Sequence, residues 1–267
     1  MAKSPKSKKV KGLVEPDFPD PSTYDPRFTS EVTYAHLREL IIMGFLPPET
    51  EVKQSVLARR LGVSRTPLRE AFRRLQAEGL LTAEVNQRAT VSALDVSEID
   101  DLYGARIVLE SLGLRLSTEK LTAQDVLVAE TALEAMWKAS IEMDLQAWTS
   151  AHLDFHMALV AEAGSYAKKI MLSLASECDR YLFFYHSKRP LAPRTRHGEH
   201  ESLLRAVLGD DADHAGQLIA RHLAATAVDL IHDLDPERVI TGIQSALDLV
   251  DPGAGVEALE SYGALAN

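Results

Sequence analysis

The stretch that most constrains this chain runs from Gln54 to Leu80, where two short helical patterns meet at a glycine. Gln54 to Leu61 places Val56, Leu57 and Leu61 at apolar helical positions, and Gly62 supplies a turn. Ser64 stands as the N-cap of the next helix, and Pro67 is tolerated in its first turn, where a missing N–H breaks no intrahelical bond. Leu68, Phe72 and Leu75 recur on one face, Arg65, Arg69 and Arg73 recur every four residues on another, and Gly79 closes the helix. Two helices joined by so tight a turn pack at a steep angle, apolar inside and cationic outside.

The flanks complete a small unit. Upstream, Val32, Leu37, Leu40 and Ile41 give a helix from Ser30 that ends at Gly44 and Pro47-Pro48. Downstream, Leu81, Val85, Thr90 and Val91 surround a polar Asn86-Gln87-Arg88, the pattern of a two-stranded hairpin. Three helices and a hairpin predict a winged helix-turn-helix over residues 30–95. Arg65 and Arg69 lie where the N-terminal part of such a helix meets base edges in the major groove. A bidentate arginine–guanine contact discriminates by about 1–3 kcal/mol. Arg73 and Arg74, further along, suit phosphate contacts or surface ion pairs. Taken alone, three arginines at this spacing could equally serve to solubilise an amphipathic helix.

A net charge of −10 argues at first against a nucleic-acid partner. Its distribution removes the objection: residues 1–30 carry +2, residues 31–95 carry +1, and residues 96–267 carry −13. Binding depends on where the cations sit, and an acidic body behind a near-neutral head is compatible with double-stranded DNA. Cys178 is the single cysteine, so no intramolecular disulfide forms and a reducing cytoplasm is the expected setting. No apolar run of about 18 residues is present to span a membrane.

The fold class expected is mainly α, a winged helix-turn-helix followed by an all-helical bundle. Residues 1–29, with five early lysines and clustered prolines, read as a disordered tail. Residues 96–234 read as the bundle, with helices near 97–117, 123–140, 145–162, 166–186, 194–208 and 211–234, Ser97 capping the first. Residues 235–267 form an extension with one short helix before Pro252. Trp137 and Trp148 read as core anchors, and His36, His186, His214 and His232 as surface or helix-end residues.

Four further histidines form a pattern. His152 and His156 are four apart on one helix, so both rings share a face. His200 and His222 lie on consecutive helices that would pack antiparallel across Gly209. Neutral imidazoles drawn from several helices can converge on a metal inside a bundle, and by spacing alone hydrogen-bonded or solvated histidines remain the alternative.

The run Leu61-Gly62-Val63-Ser64-Arg65-Thr66-Pro67-Leu68-Arg69-Glu70-Ala71, with Leu57-Ala58 before it and Glu78-Gly79-Leu80 after, resembles the GntR family of bacterial transcription regulators. Phe155-His156 with Ala163-Gly164, and Glu199-His200 through Gly209-Asp210 to His222-Leu223, resemble the FCD ligand-binding domain of its FadR-type branch. The resemblance covers about residues 31–234 and implies a homodimer on a short palindromic operator, most simply a repressor released by a small metabolite. Arg65 and Arg69 would then read bases and Thr66 a phosphate, beside Ser64 at the helix start and Arg73 further on. Ser55 stands where some relatives carry an arginine, and the hairpin tip lacks the usual wing glycine, which leaves Arg88 as the side chain to enter a minor groove.

For the helical domain the resemblance implies a divalent metal on His156, His200 and His222. The fourth position, an aspartate in many members, is His152 here. Nitrogen ligands favour zinc or nickel over manganese or magnesium. Arg106, followed by Leu109-Glu110, matches an arginine that would take an effector carboxylate bidentately, against the simpler reading of an intrahelical pair with Glu110. Tyr103 and His197, and more weakly Arg180 and Tyr181, are the remaining effector-pocket candidates. Two other functions are compatible with these residues. A metal sensor would use the ion itself as signal, and a metal-dependent enzyme would activate water on the histidines, though no distinctively spaced general base accompanies them.

Overall fold

The computed structural model describes residues 29–83, 88–189, 194 and 196–255, which divide into two compact units at Ala93 and Leu94. Of the tail expected over residues 1–29, residues 1–28 lie outside the described residues, as does the hairpin tip with Val85, Asn86 and Gln87, and Thr29 already belongs to the first helix.

The first unit follows the order α1 (Thr29–Ile42), β1 (Glu51–Lys53), α2 (Gln54–Arg60), α3 (Arg65–Ala77), β2 (Leu81–Ala83) and β3 (Arg88–Val91). Leu37, Leu40 and Ile41 of α1, Leu57 and Leu61 around α2, and Leu68, Phe72 and Leu75 of α3 share one core with Val52, Leu81, Ala89 and Val91 of the strands. The hairpin proves to be part of a three-stranded antiparallel sheet of order β1-β3-β2, with Val52 opposite Ala89 and Thr82 opposite Thr90. β1 escaped the sequence pattern because three residues are too few for alternation to register. Val56, expected inside, is exposed, since Leu57 and Leu61 already fill the buried side of α2. Gly62 takes φ 63°, the left-handed turn that a side chain would resist.

The second unit is all-helical: α4 (Val96–Ser117), α5 (Ala123–Glu142), α6 (Leu145–Leu159), α7 (Ser165–Lys188), α8 (His197–Leu208), α9 (Ala212–Leu234) and α10 (Gly242–Val250). Four of its helices start at polar side-chain caps. Thr122 and Asp125 form a reciprocal capping box on α5, and Asp144 and Asp211 accept backbone N–H groups at the starts of α6 and α9. At α4 the cap is Asp95 rather than Ser97, whose N–H and hydroxyl both donate to the Asp95 carboxylate.

α4 and α9 pack along each other through small residues, and α4 also carries α7 and α10. α9 buries Ala215, Gly216, Ala220, Ala224 and Ala227, which lets the two backbones approach closely. The short helix expected before Pro252 is α10, which buries Ile243, Ala246, Leu247 and Val250. Asp100 of α4, 3% exposed, accepts the N–H groups of Thr241, Gly242 and Ile243, each at 2.9 Å. A Cβ at Gly104 would sit 3.0 Å from the Gly242 carbonyl oxygen, so any larger residue would push on the backbone at this crossing.

Candidate metal centre and nucleic-acid interface

In the first unit α3 presents the cationic face its sequence requires. Pro67, Leu68, Ala71, Phe72 and Leu75 are buried, while Arg65, Thr66, Arg69 and Arg73 are exposed. Among the described residues, Arg65, Arg69 and Arg73 enter no ion pair. Arg74 does: it binds Glu31 at 2.6 Å and lies 3.6 Å over the Tyr34 ring, so its charge holds α1 to α3. Ser64 occupies the N-cap position, but its hydroxyl makes no capping bond. Ser55 is exposed in the first turn of α2. Arg88 starts β3 next to the tip and pairs with Glu51 of β1 at 3.5 Å.

In the second unit α6, α8 and α9 bring four histidines together. One nitrogen from each of His152, His156, His200 and His222 lies within 4.8 Å of the others, and all four rings are buried. His152 and His156 come from successive turns of α6, and their Nε2 atoms are 3.2 Å apart. Two nitrogens on a tetrahedral zinc are separated by about 3.3 Å, from Zn–N bonds of about 2.0–2.1 Å. An ion would draw the farthest rings together by about 1.5 Å or less on the same geometry.

The opposite ring nitrogens are tied off. His156 Nδ1 meets Glu110 at 3.2 Å, His222 Nδ1 meets Glu199 at 2.7 Å, and His200 Nδ1 meets the Arg196 carbonyl at 3.2 Å. Carboxylates and carbonyls accept, so each Nδ1 carries the proton and each Nε2 keeps its lone pair. These are the outer contacts that orient histidine ligands on a metal. His200 Nε2, fully buried, has no hydrogen-bond partner among the described residues. The donor set therefore fits a borderline divalent ion.

Electrostatics keeps three of the rings, His152, His156 and His200, in ligand form. Burial, reinforced by the neighbouring histidines, pushes His152 and His200 well below the ordinary histidine value. Burial also lowers His156, although Glu110 opposes it. Burial alone would raise the Glu110 carboxyl, but Arg106 and His156 outweigh it and hold it at about 2. Glu199 is likewise held down by His222 and Arg196 against its burial.

Arg106 forms the intrahelical pair and also reaches the cluster. Its Nε donates to Glu110 at 2.6 Å, and its guanidinium also lines a cavity of about 20 Å³ beside the cluster. Tyr103 lines this cavity with His152, His200 and His222. His197 does not. It opens α8 three residues before His200 and packs on Trp137 at 4.8 Å with Glu201 at 3.8 Å. Arg180 and Tyr181 bind Glu98 instead. Trp137 is 41% exposed and not a core anchor, whereas Trp148 is buried against His152.

Sequence reasoning missed Arg196, Tyr185 and Thr226, which line the same cavity, and it read His186 as a surface or helix-end residue. His186 is 3% exposed and lines the cavity from the end of α7. Only its place on the face of α7 shared with Leu182 and Tyr185 could have signalled burial.

Two family models match the chain: "Bacterial regulatory proteins, gntR family" over residues 29–91, and "FCD domain" over residues 101–225. The transcriptional repressor GlaR of Escherichia coli K12 is 31% identical over 204 residues, 73% of this chain and 92% of that protein. Among solved structures, E. coli McbR/YncC superposes with a TM-score of 0.70 at 22% identity, covering 78% of this chain and 99% of its own. A GntR transcriptional regulator from Rhodococcus sp. RHA1 gives 0.66 at 23% identity, covering 77% and 98%.

Proposed function

Since the chain belongs to the GntR family of bacterial transcription regulators and carries an FCD domain, we propose that it is an operator-binding repressor released by a small organic acid bound beside a metal. The family is one of regulators and not of enzymes, and no described helix is long and apolar enough to cross a membrane. The observation that carries the metal is that His156, His200 and His222 each hold Nδ1 against an acceptor, while one nitrogen from each of the four rings lies within 4.8 Å of the others. His152 supplies a fourth nitrogen where an aspartate was expected, which favours zinc or nickel. Arg106 supports the acid, because a guanidinium keeps donors free after Nε is committed to Glu110.

DNA recognition is assigned to Arg65 and Arg69, with Thr66, Ser64, Ser55 and Arg73 beside them and Arg88 at the wing. A homodimer is supported by Leu112 and Leu116, exposed one turn apart on α4, and by Leu127 and Val128 exposed on α5. The acid would act by binding one arrangement of the two DNA-binding heads better than another. Gel shifts against the chain's own promoter region test the reading. Arg69→Ala is expected to abolish the specific shift while the dimer persists in light scattering, and undiminished operator affinity overturns the assignment.

A metal sensor is the second reading, and one observation favours it: about 20 Å³ beside the cluster holds a water or an ion but no metabolite. Operator affinity that tracks free zinc with no organic ligand present would decide for it.

A further inference from the structure

The closed cavity at the histidine cluster has a larger neighbour. A space of about 180 Å³ opens at the junction of α5 and α6, between Ala139, Met143, Leu145 and Ser187. Trp148 and His186 line both spaces, so the two side chains form the wall between them. His186 is an unusual wall. It is 3% exposed, and neither ring nitrogen has a hydrogen-bond partner among the described residues. Buried polar atoms in native structures are nearly always matched by protein, water or a bound group, so these two nitrogens call for a partner. The ring stands edge-on to Trp148 at 4.7 Å, and Trp148 in turn stacks on the cluster residue His152 at 4.6 Å.

We propose that the two spaces are halves of one ligand chamber, and that His186 hydrogen-bonds directly to an organic acid with an apolar body longer than acetate. The carboxylate lies on the Arg106 and histidine-cluster side, and the body passes Trp148 towards Met143 and Leu145. The inference rests on the organic-acid reading above and names the class of acid. A neutral imidazole offers one donor and one acceptor, so it can serve a carboxylate oxygen or a hydroxyl. Burial pushes His186 down to about 3, which keeps the ring neutral when the ligand arrives. Such a ligand separates His186 from Trp148 and thereby disturbs the stack on His152, giving the acid a physical link to the cluster.

The test uses the zinc-loaded full-length chain and calorimetric titration with acetate, hexanoate and phenylacetate. Phenylacetate or hexanoate is expected to bind at least tenfold more tightly than acetate. Ser187→Trp fills the rim from an exposed position and is expected to weaken the longer acids at least tenfold, with acetate unchanged within twofold. His186→Leu is expected to weaken the longer acids similarly while bound zinc stays at the wild-type ratio. Affinities for the longer acids that ignore both substitutions, or that equal acetate's in the wild type, overturn the chamber and leave the organic-acid reading standing. Failure of all three acids to bind the wild type overturns both.

Discussion

Glu199 gives the sharpest quantitative test of the metal centre. Its carboxylate takes the His222 Nδ1 proton at 2.7 Å and is itself braced by Arg196 at 3.3 Å, while it remains 28% exposed at the side chain. Glu199→Gln keeps the size and one acceptor oxygen but removes the charge. Losing such an outer partner typically weakens metal binding about 10–100-fold, or about 1.4–2.7 kcal/mol. At free zinc near a hundred times the wild-type Kd, binding stabilises the folded wild type by about 2.7 kcal/mol. A variant about thirtyfold weaker would gain only about 0.9 kcal/mol at the same free zinc. Urea denaturation of tag-free protein in zinc buffers measures the difference, and chelator competition gives Kd directly. Glu110→Gln cannot substitute for this test. Glu110 and Arg106 are 1% and 3% exposed, and an unpaired buried guanidinium would cost about 3–5 kcal/mol by itself. Equal zinc stabilisation of Glu199→Gln and wild type would refute the orienting role, and no zinc stabilisation of the wild type would refute the centre.

Three other perturbations probe separate links. Asp100→Ala strips one buried and two part-buried N–H groups of their shared acceptor and is expected to cost about 2–3 kcal/mol in urea denaturation, with earlier proteolysis after Leu234; a loss below about 1 kcal/mol contradicts the capping account. His186, held near 3 by burial against about 6.5 unfolded, binds a proton only in the unfolded chain across that window. Its contribution is therefore complete above about pH 6.5 and falls as pH drops, by about 2 kcal/mol at pH 5. His186→Leu should shrink the stability difference between pH 7 and pH 5 by that amount, and an unchanged difference would mean the ring is not held neutral. His152→Asp is expected to move metal preference from zinc towards manganese in competition dialysis analysed by mass spectrometry; retention of the wild-type preference removes His152 from the ligand set.

Much of this protein was legible in local pattern, because helical periodicity records which face of a segment is apolar. Leu68, Phe72 and Leu75 against Arg65, Arg69 and Arg73 determined the buried and cationic faces of α3 before any fold was known. The four-residue step from His152 to His156 likewise determined that two rings share one side of α6. Periodicity does not record what a face meets. Nothing along the chain shows that His200 and His222 reach those rings, that Glu110 and Glu199 tie off the far nitrogens, or that four ring nitrogens come within 4.8 Å of one another. The same gap left His186 read as a surface or helix-end residue and put His197 in the cavity. Arg106 shows the division most plainly. Its i+4 pair with Glu110 is a local fact that the sequence determined. Its place beside the histidine cluster came only with the packing of α4, α6 and α9, because distance through space depends on how helices cross and not on how far apart their residues lie in the chain.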